Sequence, residues 1–243
     1  MPEIIIDART AAISSSLEVR RILPYRRRRM VGPFVFLDHA GPITATPSDI
    51  ASMDVLPHPH IGLSTVTYLF GGQVTHRDSL GVEQTIRPGE VNWMTAGKGI
   101  SHSERFEDPE LLAKSSLEMI QTWVALPTEH SERSVYIAKG QLEIDNFKYN
   151  MGQMIVFNKN ENPSIIAIED TTFLLLGGES LGERYIWWNF VSSRRERIEQ
   201  AKADWKAGRI ILPPNDNKEF IPLPETKIRS GGKQVGPASE PLS

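Results

Sequence analysis

Four side chains able to ligate a metal stand as two pairs in this sequence: His58 and His60 in LPHPHIG, and His102 and Glu104 in ISHSER. In an extended strand residues i and i+2 project from one face, so each pair is a two-pronged clamp. Imidazoles with a carboxylate suit a divalent first-row metal such as Fe, Mn, Co, Ni, Cu or Zn, and in an octahedral field four such ligands leave two positions for water, substrate or dioxygen. A lone HxH pair is commonly two strand histidines with no metal, whereas two clamps bracketing one run of chain are a stronger signal. His76, in VTHRDS, is the spare histidine and is expected behind the ligands or at the surface rather than among them.

The elements between the clamps must bring them together. Turns at Gly71-Gly72, Leu80-Gly81, Pro88-Gly89-Glu90 and Gly97-Lys98-Gly99 cut the chain into short β-branched and aromatic runs, the pattern of consecutive hairpins that can close into a barrel. Residues 1–57 read as opening strands, and Asp38 and His39 are expected near the barrel mouth without ligating. The cluster Arg20, Arg21, Arg26, Arg27, Arg28 and Arg29 is split by the apolar ILPY in an otherwise acidic chain. It reads as a solvated strand end rather than a nucleic-acid site. A half-buried strand follows at 117–126.

Beyond it the chain repeats itself. TYLFGGQVTHRD answers to VYIAKGQLEIDN and RPGEV to NMGQM, so Gly72 matches Gly140 and Gly89 matches Gly152. Counting from these glycines puts Leu126, Thr128 and Ile165 at the places of His58, His60 and His102, and none of the three can act as an imidazole ligand.

The runs RRMVGPFVFLDHAGP, HPHIGLSTVTYLFGGQVTHRDSLG and IRPGEVNWMTAGKGISHSE together resemble the pirin family of bicupin proteins. The resemblance implies an all-β fold of two cupin (jelly-roll) barrels. It also implies one metal, usually iron, held by His58, His60, His102 and Glu104, and in bacterial members quercetin 2,3-dioxygenase activity; the animal relative is described as a nuclear transcriptional cofactor. One departure stands out: roughly fifty residues of opening strands are missing before the second barrel's central hairpin. The expected organisation is a metal-bearing barrel over 1–126, a shortened barrel without metal ligands over 127–191, and a helix with a Pro-rich tail over 192–243. A shortened barrel leaves sheet edges that could pair with another chain, so self-association through it, or low thermal stability, is expected.

The C-terminal run SRRERIEQAKADWKAGR has Ile198, Ala201 and Trp205 on one helical face and Gly208 as a stop, and Trp187 and Trp188 read as core or interface. From Pro213 the tail is expected to be extended or disordered at its end. With 243 residues the chain can bury a sizeable core, and the absence of cysteine excludes disulfides and thiolate chemistry. A net charge of −3 gives no general attraction to nucleic acid or anionic membranes. No run has the length of a membrane span and the acidic N-terminus lacks a signal-peptide pattern, so a cytoplasmic location is expected. The leading functional expectation is a non-haem metal dioxygenase, Fe(II) being the first choice of metal, that cleaves a flavonol-like aromatic with O2 and uses Glu104 as base. The alternative is a non-enzymatic metal- or redox-sensing regulator with a protein partner. A hydrolytic zinc site is disfavoured, because four protein ligands leave little reason for a separate base.

Overall fold

A computed structural model describes residues 2–44, 46–108, 116–124, 132–158 and 163–224, with short strand pairings at 227–228, 234–235 and 241–242. The expected end of the tail falls largely outside the described residues, as do Leu126 and Thr128.

The first barrel is built from two facing sheets. One carries β2 (Arg9–Ala12), β3 (Glu18–Leu23), β4 (Phe34–Ile43), β6 (Ser64–Gly71), β9 (Val91–Thr95) and β11 (Leu117–Val124) in the order β2-β3-β4-β11-β6-β9. The other carries β5 (Val55–His60), β7 (Val74–Asp78), β8 (Glu83–Ile86) and β10 (Ile100–Arg105) in the order β5-β10-β7-β8. Pro57 and Pro59 cannot donate to a ladder, which fits the position of β5 at a sheet edge, and their alternation with His58 and His60 keeps both imidazoles on the inner face. The segment before β5 is not strand throughout. Helix α1 (Pro47–Met53) starts with Thr46 as N-cap and Pro47 in its first turn, and it buries Ile50 and Met53 in the cluster that also contains Leu69 and Phe106.

The second barrel repeats the hairpin unit. Its strands β12 (Glu132–Lys139), β13 (Gln141–Ile144), β14 (Phe147–Asn150), β15 (Gln153–Phe157), β16 (Ile165–Ala167) and β17 (Thr172–Gly178) form the orders β15-β12-β17 and β14-β13-β16. These are the orders of β9-β6-β11 and β8-β7-β10 in the first barrel. The expected glycine matches hold in the backbone, with φ +78° at Gly72 and +79° at Gly140, both at the first hairpin turn, where only glycine is unstrained. Counterparts of β2 to β5 are missing among the described residues of this half. The first strand of the chain, β1 (Ile4–Asp7), does not join the strands that follow it; it pairs with β15 at the edge of the second barrel's sheet.

The two barrels meet along an apolar seam that includes Ile22, Leu37 and Ile120 from the first and Tyr136, Met154 and Leu176 from the second. After the second barrel come a hairpin of β18 (Arg184–Trp187) and β19 (Phe190–Ser192) and helix α2 (Arg195–Lys206). Ile198, Ala201 and Trp205 are the buried face of α2, as the spacing requires, and they pack with Trp187, Phe190 and Ile61, which follows the end of β5. Among the described residues no helix is long and apolar enough to cross a membrane.

The arginine cluster is only partly solvated, which corrects the expectation. Arg26 and Arg27 are exposed, but Arg21 makes a bidentate pair with Asp38 at 2.9 and 2.7 Å and Arg28 bridges Glu3 and Glu132. Arg20 reaches His39 at 3.0 Å.

Candidate metal centre

The antiparallel pairing of β5 with β10 sets His58 opposite His102 and His60 opposite Ile100, so the two clamps share one inner face. His58, His60 and His102 are all buried, and each offers a ring nitrogen such that the three atoms lie within 4.8 Å of one another. Glu104 stands beside this group rather than within it. Its Oε1 is 3.8 Å from His102 Nδ1 and accepts a hydrogen bond of 2.7 Å from the Gln121 side-chain amide, which also donates to Thr67 Oγ1 at 3.2 Å. His76 is buried, faces Glu104 across the β7–β10 pairing, and places Nδ1 3.3 Å from His102 Nδ1, so it lies behind the cluster and not at the surface.

Carbonyl partners define the tautomers of His58 and His60. His58 donates Nδ1–H to the Leu56 carbonyl at 2.9 Å, and His60 donates Nδ1–H to the Asn189 carbonyl at 3.2 Å, which leaves Nε2 of each with its lone pair. Burial, and after it the neighbouring imidazoles, push His60 and His102 well below the ordinary histidine range, so both are neutral at physiological pH. His60 Nε2 and His102 Nε2 are 3.1 Å apart. With the His102 proton on Nε2 this contact is a hydrogen bond, and with the proton on Nδ1 it sets two buried lone pairs against each other. A cation between them removes that conflict, and two nitrogens each about 2.1 Å from one ion at right angles are themselves about 3 Å apart. The donor set therefore fits a divalent metal.

In front of the histidines lies a cavity of about 510 Å³, of a size that accepts a small organic ligand. His58, Glu104 and Gln121 line it together with Phe36 and Trp123, whose rings stack at 4.0 Å, and with Trp188. Asp38 lines it as well, tied to Arg21; burial pushes its carboxyl up while the Arg21 guanidinium opposes that shift. His39, one residue on, points to the opposite side of β4 and lies between the barrels, bonded to Tyr136 Oη at 2.7 Å. Of the pair expected near the barrel mouth, only Asp38 is there.

Residue spacing did not reveal Gln121, Trp188 or Asn189. Gln121 is one of the inward positions of an alternating strand, and its only signal was polarity on a face shared with Met119 and Trp123. Trp188 and Asn189 come from a hairpin about 130 residues after the first clamp, and no local pattern ties them to it.

The outer face of β10 is also engaged. Ser103 and Arg105 bind Asp216 in the stretch that follows α2, the Arg105 contacts both being 2.7 Å, and Ile221 N–H donates to the Pro57 carbonyl at 2.7 Å. This stretch crosses the outside of the two histidine-bearing strands and fixes them from behind.

Two facing β-sheets in each of two successive barrels, with three converging histidines in the first that could hold a metal ion, define a bicupin. The pirin family profile matches residues 16–124 and the profile of the pirin C-terminal cupin domain matches residues 116–211, and the chain belongs to the pirin family. A pirin-like protein of Caulobacter vibrioides is 44% identical, with 93% of this chain and 100% of that protein covered. That alignment runs over 289 positions, at least 46 more than the 243 residues here, so the relative carries residues with no counterpart in this chain. A crystal structure of quercetin 2,3-dioxygenase from Acinetobacter baumannii superposes with a TM-score of 0.81 at 26% identity, covering 95% of this chain and 97% of that one. A bacterial pirin from Escherichia coli in complex with nickel(II) shares the fold at a TM-score of 0.57 and 16% identity, covering 73% of this chain and 99% of that one.

Proposed function

We propose that the first barrel is a metal-dependent dioxygenase site for a flavonol-type aromatic such as quercetin, with His58, His60, His102 and the adjacent Glu104 as the ligand set. The observation that carries this reading is the convergence of three buried imidazoles, the outermost of which, His58, lines a cavity walled by aromatic rings. A divalent transition metal, Fe(II) being the first choice, would supply the site at which a deprotonated hydroxyl and dioxygen meet. The chain's own residues supply the rest. Glu104 takes the hydroxyl proton, and the Gln121 amide, bonded to Oε1, holds the carboxylate in place for it. Phe36 and Trp123 orient the flat ring system, and the buried surroundings of His60 and His102 keep water from the reacting atoms.

The test is oxygen uptake by metal-loaded protein given quercetin. Anaerobic mixing should give a red-shifted flavonol band that bleaches on admission of oxygen. Replacement Glu104→Gln should lower turnover by roughly a hundredfold or more, the usual scale for loss of a general base. No uptake with iron, manganese, copper or nickel would remove the enzyme reading and leave a metal-dependent binding protein.

A further inference from the structure

The two residues between β18 and β19 are Trp188 and Asn189, and Trp188 has φ +51°. A bulky side chain in the left-handed region is a backbone outlier, and hairpin turns place glycine or asparagine there because those residues adopt it at little cost. Here an indole occupies the strained position. Trp188 lines the cavity that His58, Glu104 and the stacked Phe36 and Trp123 also line. It is held edge-on by Trp187 at 6.2 Å and by Phe190 at 5.6 Å between ring centroids. The next residue, Asn189, provides the carbonyl that accepts His60 Nδ1–H. One turn therefore touches both the cavity and a histidine of the cluster.

The hairpin is docked on the end of β5. Val191 N–H donates to the Ile61 carbonyl at 3.2 Å, and Gly62, at φ +71°, lies so close that a Cβ there would stand 2.1 Å from the Val191 carbonyl oxygen. The turn is fixed on the ligand-bearing strand rather than carried loosely by the second barrel, and a strained residue persists where its surroundings over-determine it.

We infer that Trp188 is a specificity-determining residue, an indole held in a strained turn so that it closes on the face of a flat aromatic ligand in the cavity, while Asn189 beside it fixes the tautomer of His60. The inference rests on the reading of the cavity as an aromatic site and adds the wall that selects for flatness.

The test compares two chelators titrated anaerobically into nickel-loaded protein: 3-hydroxyflavone, which is flat and aromatic, and acetohydroxamate, which is small and neither. Trp188→Gly removes the ring and relieves the strain, so the melting temperature should hold or rise and the metal content should be unchanged, because the Asn189 carbonyl remains. Affinity for 3-hydroxyflavone should fall about tenfold or more, while acetohydroxamate binding stays within about twofold. Trp188→Phe should recover 3-hydroxyflavone binding to within about threefold. If the glycine variant fails to fold, Trp188→Asn gives the same comparison with a residue that tolerates positive φ. Equal losses for both chelators, unchanged binding of 3-hydroxyflavone, or a wild type that binds neither would overturn the inference. Oxygen uptake is read separately: tight 3-hydroxyflavone binding without uptake leaves Trp188 in this role and removes only the dioxygenase.

Discussion

The strands from β6 to β11 and from β12 to β17 follow the same path, and the residues at four matching places on them have opposite character. Thr67 pairs with Gln121, and at the same places Val135 pairs with Leu175. His76 faces Glu104, and at the same places Ile144 faces Ile165. This register corrects the sequence count, which gave Ile165 the place of His102; it holds that of Glu104. The polar set Thr67, His76, Glu104 and Gln121 thus has the apolar set Val135, Ile144, Ile165 and Leu175 as its counterpart. Val135 and Ile144 are buried, whereas Ile165 is only partly covered and Leu175 lies on the open side of this half, so the fold accepts apolar residues at all four places and the polar set of the first barrel, which carries a desolvation cost, needs another reason to exist. The edges differ too. β11 is flanked by β4 and β6, whereas among the described residues β17 is flanked by β12 alone, and Leu175 is 68% exposed.

The comparison is broken most severely by making the first interior resemble the second. The double replacement Glu104→Ile with Gln121→Leu should lower quercetin turnover by roughly a hundredfold or more. Stability by denaturant titration should stay within about 1 kcal/mol, since both members of one polar pair leave together. A large loss of stability would show that the polar set holds the barrel together.

A smaller effect belongs to the seam between the barrels. His39 is fully buried there, and burial, assisted by the Arg20 guanidinium, pushes its pKa down to about 3. The unfolded chain takes up a proton at this residue near pH 6.5, which the native state does not, so stability falls as the pH drops from about 6.5 toward 3. The slope is about 1.4 kcal/mol per pH unit for one proton. The same titration on His39→Gln should be shallower by that amount; an unchanged slope would mean that His39 accepts the proton in place.

The smallest effect concerns association. Among the described residues β16 and β17 lie at sheet edges, and with Leu175 and Phe173 exposed this leads to the expectation of weak concentration-dependent self-association, visible by sedimentation velocity and reduced by Leu175→Glu. A strictly monomeric wild type across the accessible concentration range would show that these edges are tolerated as they stand.

Much of this was legible in the sequence because it is encoded locally. The HxH and HxE spacings put side chains on one strand face, the glycines at 72 and 140 need their turns, and Ile198, Ala201 and Trp205 mark a helical face. What was not legible depends on contacts distant in sequence. The pairing of β1 with β15 joins residues about 150 positions apart, the carbonyl that orients His60 comes from a later hairpin, and Arg20 and Arg21 look like solvent-exposed charges until their partners on β4 are known. The helix α1 was hidden because seven residues are too few to show a period.

The division of labour between the barrels is tested most directly by elemental analysis of metal-reconstituted protein alongside the double variant His58→Ala, His60→Ala. The account predicts one transition metal per chain in the wild type and almost none in the variant. Two metals per chain, or full retention in the variant, would contradict it.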